Sequence, residues 1–280
     1  KVVYQDVWDA DQMLDAVEAE KIVWTLSATA FAMDMVAAQR RNTRDLSSFK
    51  FFICGGAAIP PKVVEEAAEF LGAQLIALWG MTENMVVTST RPGDSVELVS
   101  NSDGTPVEWM EIRLMSDDGE VKRVGESGNL QTRGASQALG YFHREDLYEA
   151  ATPEEDWFDT GDVARLRSDG GIRIVGRTKD IVIRGGENIP VAEIESLILR
   201  YPGVDEVAII GLPDERLGER ACAVVSSSNS TLTLLDISKF LEDLGTAKQF
   251  WPEELVLMTE MPRTPSGKIQ KFRLREELSA

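Results

Sequence analysis

Lys268 closes a loop stiffened by proline and glycine, Pro262-Arg263-Thr264-Pro265-Ser266-Gly267-Lys268. An ammonium presented this way can neutralise a phosphate or carboxylate that gains negative charge in a transition state. The Gly-Lys ending is shared with phosphate loops. That motif, however, needs Gly at 262 and Ser or Thr at 269, where this chain has Pro262 and Ile269. Taken alone, a solvated surface lysine fits as well. A second segment, Leu78-Trp79-Gly80-Met81-Thr82-Glu83-Asn84, follows a strand. It offers an aromatic face for a base (Trp79), a hydroxyl for a phosphate (Thr82) and a carboxylate for Mg²⁺ (Glu83), which takes one or two carboxylates plus substrate phosphates. A core tryptophan followed by a capped helix would read the same. A third pairs Asp162, in Asp156-Trp157-Phe158-Asp159-Thr160-Gly161-Asp162, with Arg177, in Gly176-Arg177-Thr178-Lys179-Asp180. Asp162 has acceptors for both hydroxyls of a ribose, and Arg177 a donor for ribose or phosphate. Turn chemistry and a surface ion pair explain them equally. The fourth, Cys54-Gly55-Gly56-Ala57-Ala58-Ile59-Pro60, sits between a strand and a helix, where glycines let backbone approach a ligand or simply turn.

The elements that must position these groups follow from periodicity. Apolar spacing predicts helices over 10–21, capped by Asp9 or Asp11, over 31–38, and over 61–71, started by Pro60-Pro61 and closed by Gly72. Val23–Leu26, Phe49–Cys54 and Leu75–Trp79 read as buried strands, and Val2-Val3-Tyr4 as a further one. Strands alternating with helices up to about residue 90 argue for a parallel α/β layer. From 92 to 176, short runs (Glu111–Met115, Gly128–Thr132, Val163–Arg167, Ile172–Val175) separated by Asp-Gly turns predict an antiparallel, barrel-like unit. Beyond Gly176 a compact α+β region is expected. It comprises a hairpin over 181–190, a helix over 191–200, strands at Val207–Ile210 and Ala221–Val225, and a helix from Thr233 to Gly245. The fold class is therefore α/β followed by a smaller α+β domain, with boundaries at 1–176, 177–180 and 181–280.

Composition narrows the chemistry. Lys and Arg number 29 against 47 Asp and Glu, a net charge of −18, so a nucleic-acid backbone is repelled. Anionic ligands must be caught by local positive groups. The single histidine, His143, speaks against a His/Cys zinc site and a Ser-His-Asp triad. Cys54 and Cys222 lie far apart without a CxxC neighbour and read as buried small apolar residues in a reducing, cytoplasmic setting. No apolar run approaches membrane-spanning length, so no membrane insertion is expected.

GGAAIP, WGMTEN, DWFDTGD, GRTKDIVIRGGENI and PRTPSGKIQK occur in this order across essentially the whole chain. Together they resemble the adenylate-forming superfamily of acyl-CoA synthetases, peptide-synthetase adenylation domains and beetle luciferases. IVIRGGENIPVAEIE, LGERACA and PRTPSGKIQKFRLRE look closest to small-acid ligases of the cyclohexanecarboxylate-CoA ligase type. The resemblance implies an ATP-dependent acid–thiol ligase that makes an acyl-AMP and transfers the acyl group to coenzyme A, with ATP, Mg²⁺ and CoA as its ligands. It implies that residues 1–176 are the C-terminal part of the large ATP- and acyl-binding domain and 181–280 the small mobile domain, swinging about a hinge at Lys179. By the same resemblance Gly55, Gly56, Ala57, Trp79, Gly80, Met81, Thr82, Asp162, Arg177 and Lys268 bind the nucleotide, and Glu83 holds the metal. Lys268, Thr82 and Glu83 serve catalysis, while Gly185, Gly186 and Glu187 line the path of CoA. Leu78, Gly80, Met85 and Val86 wall the acyl pocket, with the smallness of Gly80 leaving room at the acyl carbon.

Two departures stand out. The family usually has Tyr where this chain has Trp79, which keeps stacking but loses a hydroxyl. The Ser/Thr/Gly-rich loop that grips the β- and γ-phosphates belongs upstream of Lys1, so a chain beginning at Lys1 is expected to be inactive by itself. It is also expected to aggregate or to pair with another copy, as a homodimer, through exposed apolar sheet edge. Two rival readings remain: an acyl-AMP former that serves a carrier protein or an amine, and a non-catalytic nucleotide-binding fragment.

Overall fold

Asp9 accepts a hydrogen bond from the Gln12 amide and starts the helix Ala10–Glu20, whose Leu14 and Val17 face inward. Lys21, in the left-handed region, ends it. Pro61 opens the helix Pro61–Glu66, which continues as a π-helical stretch, Ala67–Leu71, and stops at Gly72. The computed structural model describes residues 1–56, 59–116, 118–154, 156–185, 187–264 and 267–279, the side chain of Lys179 excepted. The described chain divides into two compact units, Lys1–Thr160 with Ala164–Ile174, and Gly161–Val163 with Val175–Ala280.

The first unit is built on strands β1 (Trp24–Ser27), β2 (Phe51–Gly55), β3 (Gln74–Met81), β4 (Met85–Ser89) and β5 (Thr105–Pro106), in that order across one sheet. β1, β2 and β3 are parallel; β3, β4 and β5 are antiparallel. The flanking helices, with Thr29–Arg41 among them, bury Leu14, Met35, Phe49, Phe52, Val64 and Leu75 in one core. A second sheet has the order β6 (Met110–Met115), β7 (Ser127–Gly134), β8 (Phe158–Leu166) and β9 (Ile172–Arg177). Leu114, Leu130, Ala164 and Ile172 of this sheet share a core with Trp79 and Val87. Val2, Val3 and Tyr4 do not form a strand. No described strand pairs with them, and their side chains are exposed.

The second unit carries β10 (Val182–Arg184), β11 (Glu187–Ile189), β12 (Val204–Asp214), β13 (Gly218–Ser227) and β14 (Glu254–Leu257). The order is β11-β10-β13-β12, with β14 parallel to β13. The β12–β13 ladder is longer than the apolar runs predict, because polar ends continue the pairing from Val204 to Asp214. Successive residues alternate between two faces. Ile209, Ala223 and Val225 pack with the helices Val191–Ile198 and Leu234–Asp243, whereas Ile210, Cys222 and Val224 pack with Leu274 of the helix Lys271–Leu278. Thr233 caps the Leu234–Asp243 helix in a reciprocal box with Asp236. Both cysteines are free and buried, and no helix among the described residues is long and apolar enough to cross a membrane.

Candidate active site

In the first unit, β3 runs past Trp79 to Met81 and turns back into β4. The turn is closed by the Asn84 amide donating to the Met81 carbonyl at 3.2 Å. Met85 then takes φ 54°, a left-handed conformation uncommon for a side chain of its size. Thr82 and Glu83 thus stand at the tip of a tight hairpin, not at the start of a helix. Gly80 pairs with Val86, and a Cβ at Gly80 would collide with the Met85 carbonyl oxygen. The lack of a side chain at Gly80 is therefore required by the hairpin itself. Gly55, at the carboxyl end of β2, is constrained likewise: a Cβ there would lie 2.6 Å from the carbonyl oxygen of Leu78, its partner in β3.

The carboxyl ends of the parallel strands thereby bring together Gly55, Leu78, Gly80, Met81, Thr82, Glu83, Met85 and Val86. Gly56 follows at φ 83°; Ala57 lies outside the described residues. Trp79 takes another course. Only 9% of it is exposed, and it packs with Val87, Met110 and Leu130, so most of its ring serves the core.

A segment after β7 holds the hairpin tip. The Ala138 amide donates to the Glu83 carbonyl at 2.6 Å, and the Ser136 hydroxyl to the Asn84 carbonyl at 2.8 Å. The buried Asn84 amide donates to Thr132 Oγ1 at 2.8 Å. The Tyr141 hydroxyl donates to Glu83 Oε1 at 2.6 Å. That bond to a carboxylate, with some burial, pushes the Tyr141 phenol up to about 12, so it remains a donor near neutral pH. Sequence reasoning missed Tyr141, Ser136 and Thr132. The available signal was the small-polar run Gly134-Ala135-Ser136-Gln137, which marks a loop but not its partner.

In the second unit, Asp162 on β8 and Arg177 on β9 are in contact, Arg177 Nε donating to Asp162 Oδ1 at 2.8 Å. Lys268 is exposed in a loop folded on itself: its amide donates to Thr264 Oγ1 at 3.1 Å and its carbonyl accepts from the Thr264 amide at 2.8 Å. Gly267 takes φ 82° and Arg263 Nη1 donates to the Gly267 carbonyl. Among the described residues the Lys268 ammonium has no ion pair. Gly185, at φ 60°, makes the turn between β10 and β11, with its amide 2.8 Å from the Leu217 carbonyl. Glu187 is exposed beside it and Gly186 lies outside the described residues. The backbone of Lys179 lies in a single 3-10 turn, Thr178–Asp180, and its side chain lies outside the described set.

A divalent cation has a suitable donor in Glu83. Oε1 is occupied by Tyr141, while Oε2 accepts no hydrogen bond among the described residues. A single carboxylate oxygen completed by substrate phosphates and water suits Mg²⁺. No cluster of three or more His, Cys, Asp or Glu stands ready for a metal among the described residues, so such an ion needs the nucleotide to complete its shell.

The family described as "AMP-binding enzyme" matches residues 1–142, and "AMP-binding enzyme C-terminal domain" matches residues 193–268. The medium-chain fatty-acid–CoA ligase of Escherichia coli is 35% identical over 99% of this chain and 49% of its own. The 2,3-dihydroxybenzoate-AMP ligase of Bacillus subtilis is 31% identical over the whole chain and 52% of its own. The ATP-bound structure of MatB from Rhodopseudomonas palustris superposes with a TM-score of 0.90 at 27% identity, covering 99% of this chain and 54% of that one. The chain spans about half the length of the curated relatives it matches.

Proposed function

The chain belongs to the AMP-binding enzyme family, and we propose that its parent protein activates a small carboxylic acid as acyl-AMP and transfers the acyl group to coenzyme A. The observation that carries this reading is the Thr82–Glu83 hairpin tip, held at the carboxyl ends of the parallel strands by backbone clamps and Tyr141. A rigid hydroxyl and carboxylate at that edge suit a metal–phosphate ligand. In the first half-reaction an acid oxygen attacks the α-phosphorus of ATP and the bond to pyrophosphate breaks. In the second, the CoA thiol attacks the acyl carbon, loses its proton and releases AMP.

Each step sets a charge problem. Two anions meet in the first, so a cation must stand where charge develops. Lys268 has an exposed ammonium, with no ion pair among the described residues, for that role. Asp162 and Arg177 offer acceptor and donor to the ribose hydroxyls, and Thr82 a hydroxyl to a phosphate. Mg²⁺ held by Glu83 Oε2 would neutralise charge on the phosphates. The backbone of Gly55 and Gly56, with Trp79 on the adjoining strand, would border the base. Gly185 and Glu187 form the turn expected to meet CoA, and the Thr178–Asp180 turn is the expected hinge. Leu78, Gly80, Met85 and Val86 would meet the acid. A second reading, delivery of the adenylate to an acceptor other than CoA such as a carrier protein or an amine, is supported only by the likeness to a ligase named for forming an acyl-AMP, the 2,3-dihydroxybenzoate-AMP ligase. Steady-state assays of the full-length protein with CoA, a carrier protein and simple amines decide between them. Acid-dependent AMP release that saturates with CoA supports the first reading, and release stimulated only by another acceptor overturns it.

A further inference from the structure

Glu83 is a carboxylate with one oxygen already taken. Tyr141 Oη lies 2.6 Å from Oε1, and the Tyr141 ring is itself braced. It meets Tyr148 edge-on, with centroids 5.8 Å apart at 83°. Tyr148 packs on Phe158 at 5.7 Å, and its hydroxyl donates to the Ala138 carbonyl. Ala138 in turn donates to the Glu83 carbonyl at 2.6 Å. Phe158 is 2% exposed and anchors the series in the interior. Main chain and side chain of Glu83 are thus fixed by one connected group of residues, none of which is itself a candidate ligand for the nucleotide.

We propose that Tyr141 is a positioning residue that reserves Oε1 of Glu83, leaves only Oε2 for a metal, and so selects Mg²⁺ over Ca²⁺ at the nucleotide site. The inference rests on the reading that Glu83 holds a divalent cation. Mg²⁺ demands octahedral geometry and takes one oxygen from each carboxylate, whereas Ca²⁺ accepts six to eight ligands and often takes both oxygens. A phenol donating to Oε1 takes one of its lone pairs, weakens it as a second ligand and so disfavours the two-oxygen mode. Removing only the hydroxyl restores it while the ring keeps its packing against Tyr148.

The test is calorimetry of ATP binding to the full-length protein without acid or CoA, in MgCl₂ and separately in CaCl₂, for wild type, Tyr141→Phe and Glu83→Gln. A third variant, Glu83→Asp, shortens the side chain out of reach of the phenol without touching ring packing. Tyr141→Phe should raise the affinity for ATP with Ca²⁺ relative to Mg²⁺ by about tenfold, the lower end of the scale of one hydrogen bond to a charged group. Glu83→Asp should shift the ratio the same way, and serves as the measure if Tyr141→Phe does not fold. Glu83→Gln should weaken binding with both cations. A Ca²⁺ to Mg²⁺ ratio that stays within twofold of wild type in both Tyr141→Phe and Glu83→Asp overturns the inference and leaves the adenylating function standing. ATP binding that is indifferent to divalent cation in the wild type overturns the inference and the role of Glu83 together.

Discussion

Arg177 Nε lies 2.8 Å from Asp162 Oδ1, and the two side chains are unequally placed: the guanidinium is 61% exposed and the carboxylate 6%. The buried partner is fixed by the fold of β8, and the exposed one is free to add a ligand contact without losing the pair. If the pair holds a ribose, Asp162→Ala should raise the KM for ATP by about tenfold or more, from hydrogen bonds to a charged acceptor worth ~1.5–3 kcal/mol each. Arg177→Ala should raise it less, because water can replace an exposed donor. Steady-state kinetics of the full-length enzyme check this, and an unchanged KM in Asp162→Ala contradicts it.

Lys268→Ala should separate the half-reactions. Formation of the adenylate should fall by about 10²-fold or more, the loss expected for one transition-state charge contact. Thioester formation from supplied acyl-AMP should suffer far less, because the resemblance implies that the small domain has then swung and Lys268 faces solvent. Stopped-flow measurement of each step makes the comparison, and equal losses would contradict a role confined to the first.

Gly80→Ala should destabilise the first unit and not merely narrow the acid range. Its Cβ would collide with the Met85 carbonyl, and overpacking of this kind costs about 1–3 kcal/mol or more. A lowered urea midpoint with activity reduced alike for small and large acids is the expected result. A stable variant that discriminates only against larger acids would contradict this role in the hairpin.

Much of the architecture was legible because it rests on local signals. The Asp9 cap, Pro61, Gly72 and the Thr233 cap delimit helices, and the apolar runs at Phe51 and Leu75 become β2 and β3. The Asp162–Arg177 contact was legible as a pairing of chemistry, though a surface ion pair would read the same. The Thr82–Glu83 tip was legible as chemistry but not as a hairpin, since the turn depends on Gly80 meeting Met85 across the strand pair. Trp79 shows why: a ring in the core and a ring under a base have the same sequence. Tyr141 lies 58 residues from its partner Glu83, and no periodicity reports a contact at that separation. Val2–Tyr4 has strand composition but no partner strand, and pairing, not propensity, makes a strand.

The Arg184–Glu253 pair should contribute a stability increment that disappears in acid. Two bonds join them, Nε to Oε2 at 2.8 Å and Nη2 to Oε1 at 2.7 Å, and the guanidinium holds the Glu253 carboxyl below its usual value. A carboxyl lowered on folding adds stability above its unfolded pKa and loses it as pH falls through the folded value. Partial exposure limits the increment to about 0.5–1 kcal/mol. Urea unfolding of wild type and Arg184→Ala should therefore differ near pH 7 and converge as pH falls through the folded value of Glu253, whereas a difference that is constant with pH would contradict the ion-pair account.

The central claim is that the parent protein joins a carboxylate to AMP, and the exchange of labelled pyrophosphate into ATP tests it most directly. The full-length protein is incubated with MgATP, pyrophosphate and a panel of carboxylic acids running from aryl and cyclic acids through medium-chain to palmitate-sized ones, without CoA. Exchange should depend on the acid, be strongest for small cyclic or aromatic acids, and fall by about two orders of magnitude in Lys268→Ala. Folded protein that binds MgATP yet exchanges no pyrophosphate with any acid would contradict the account.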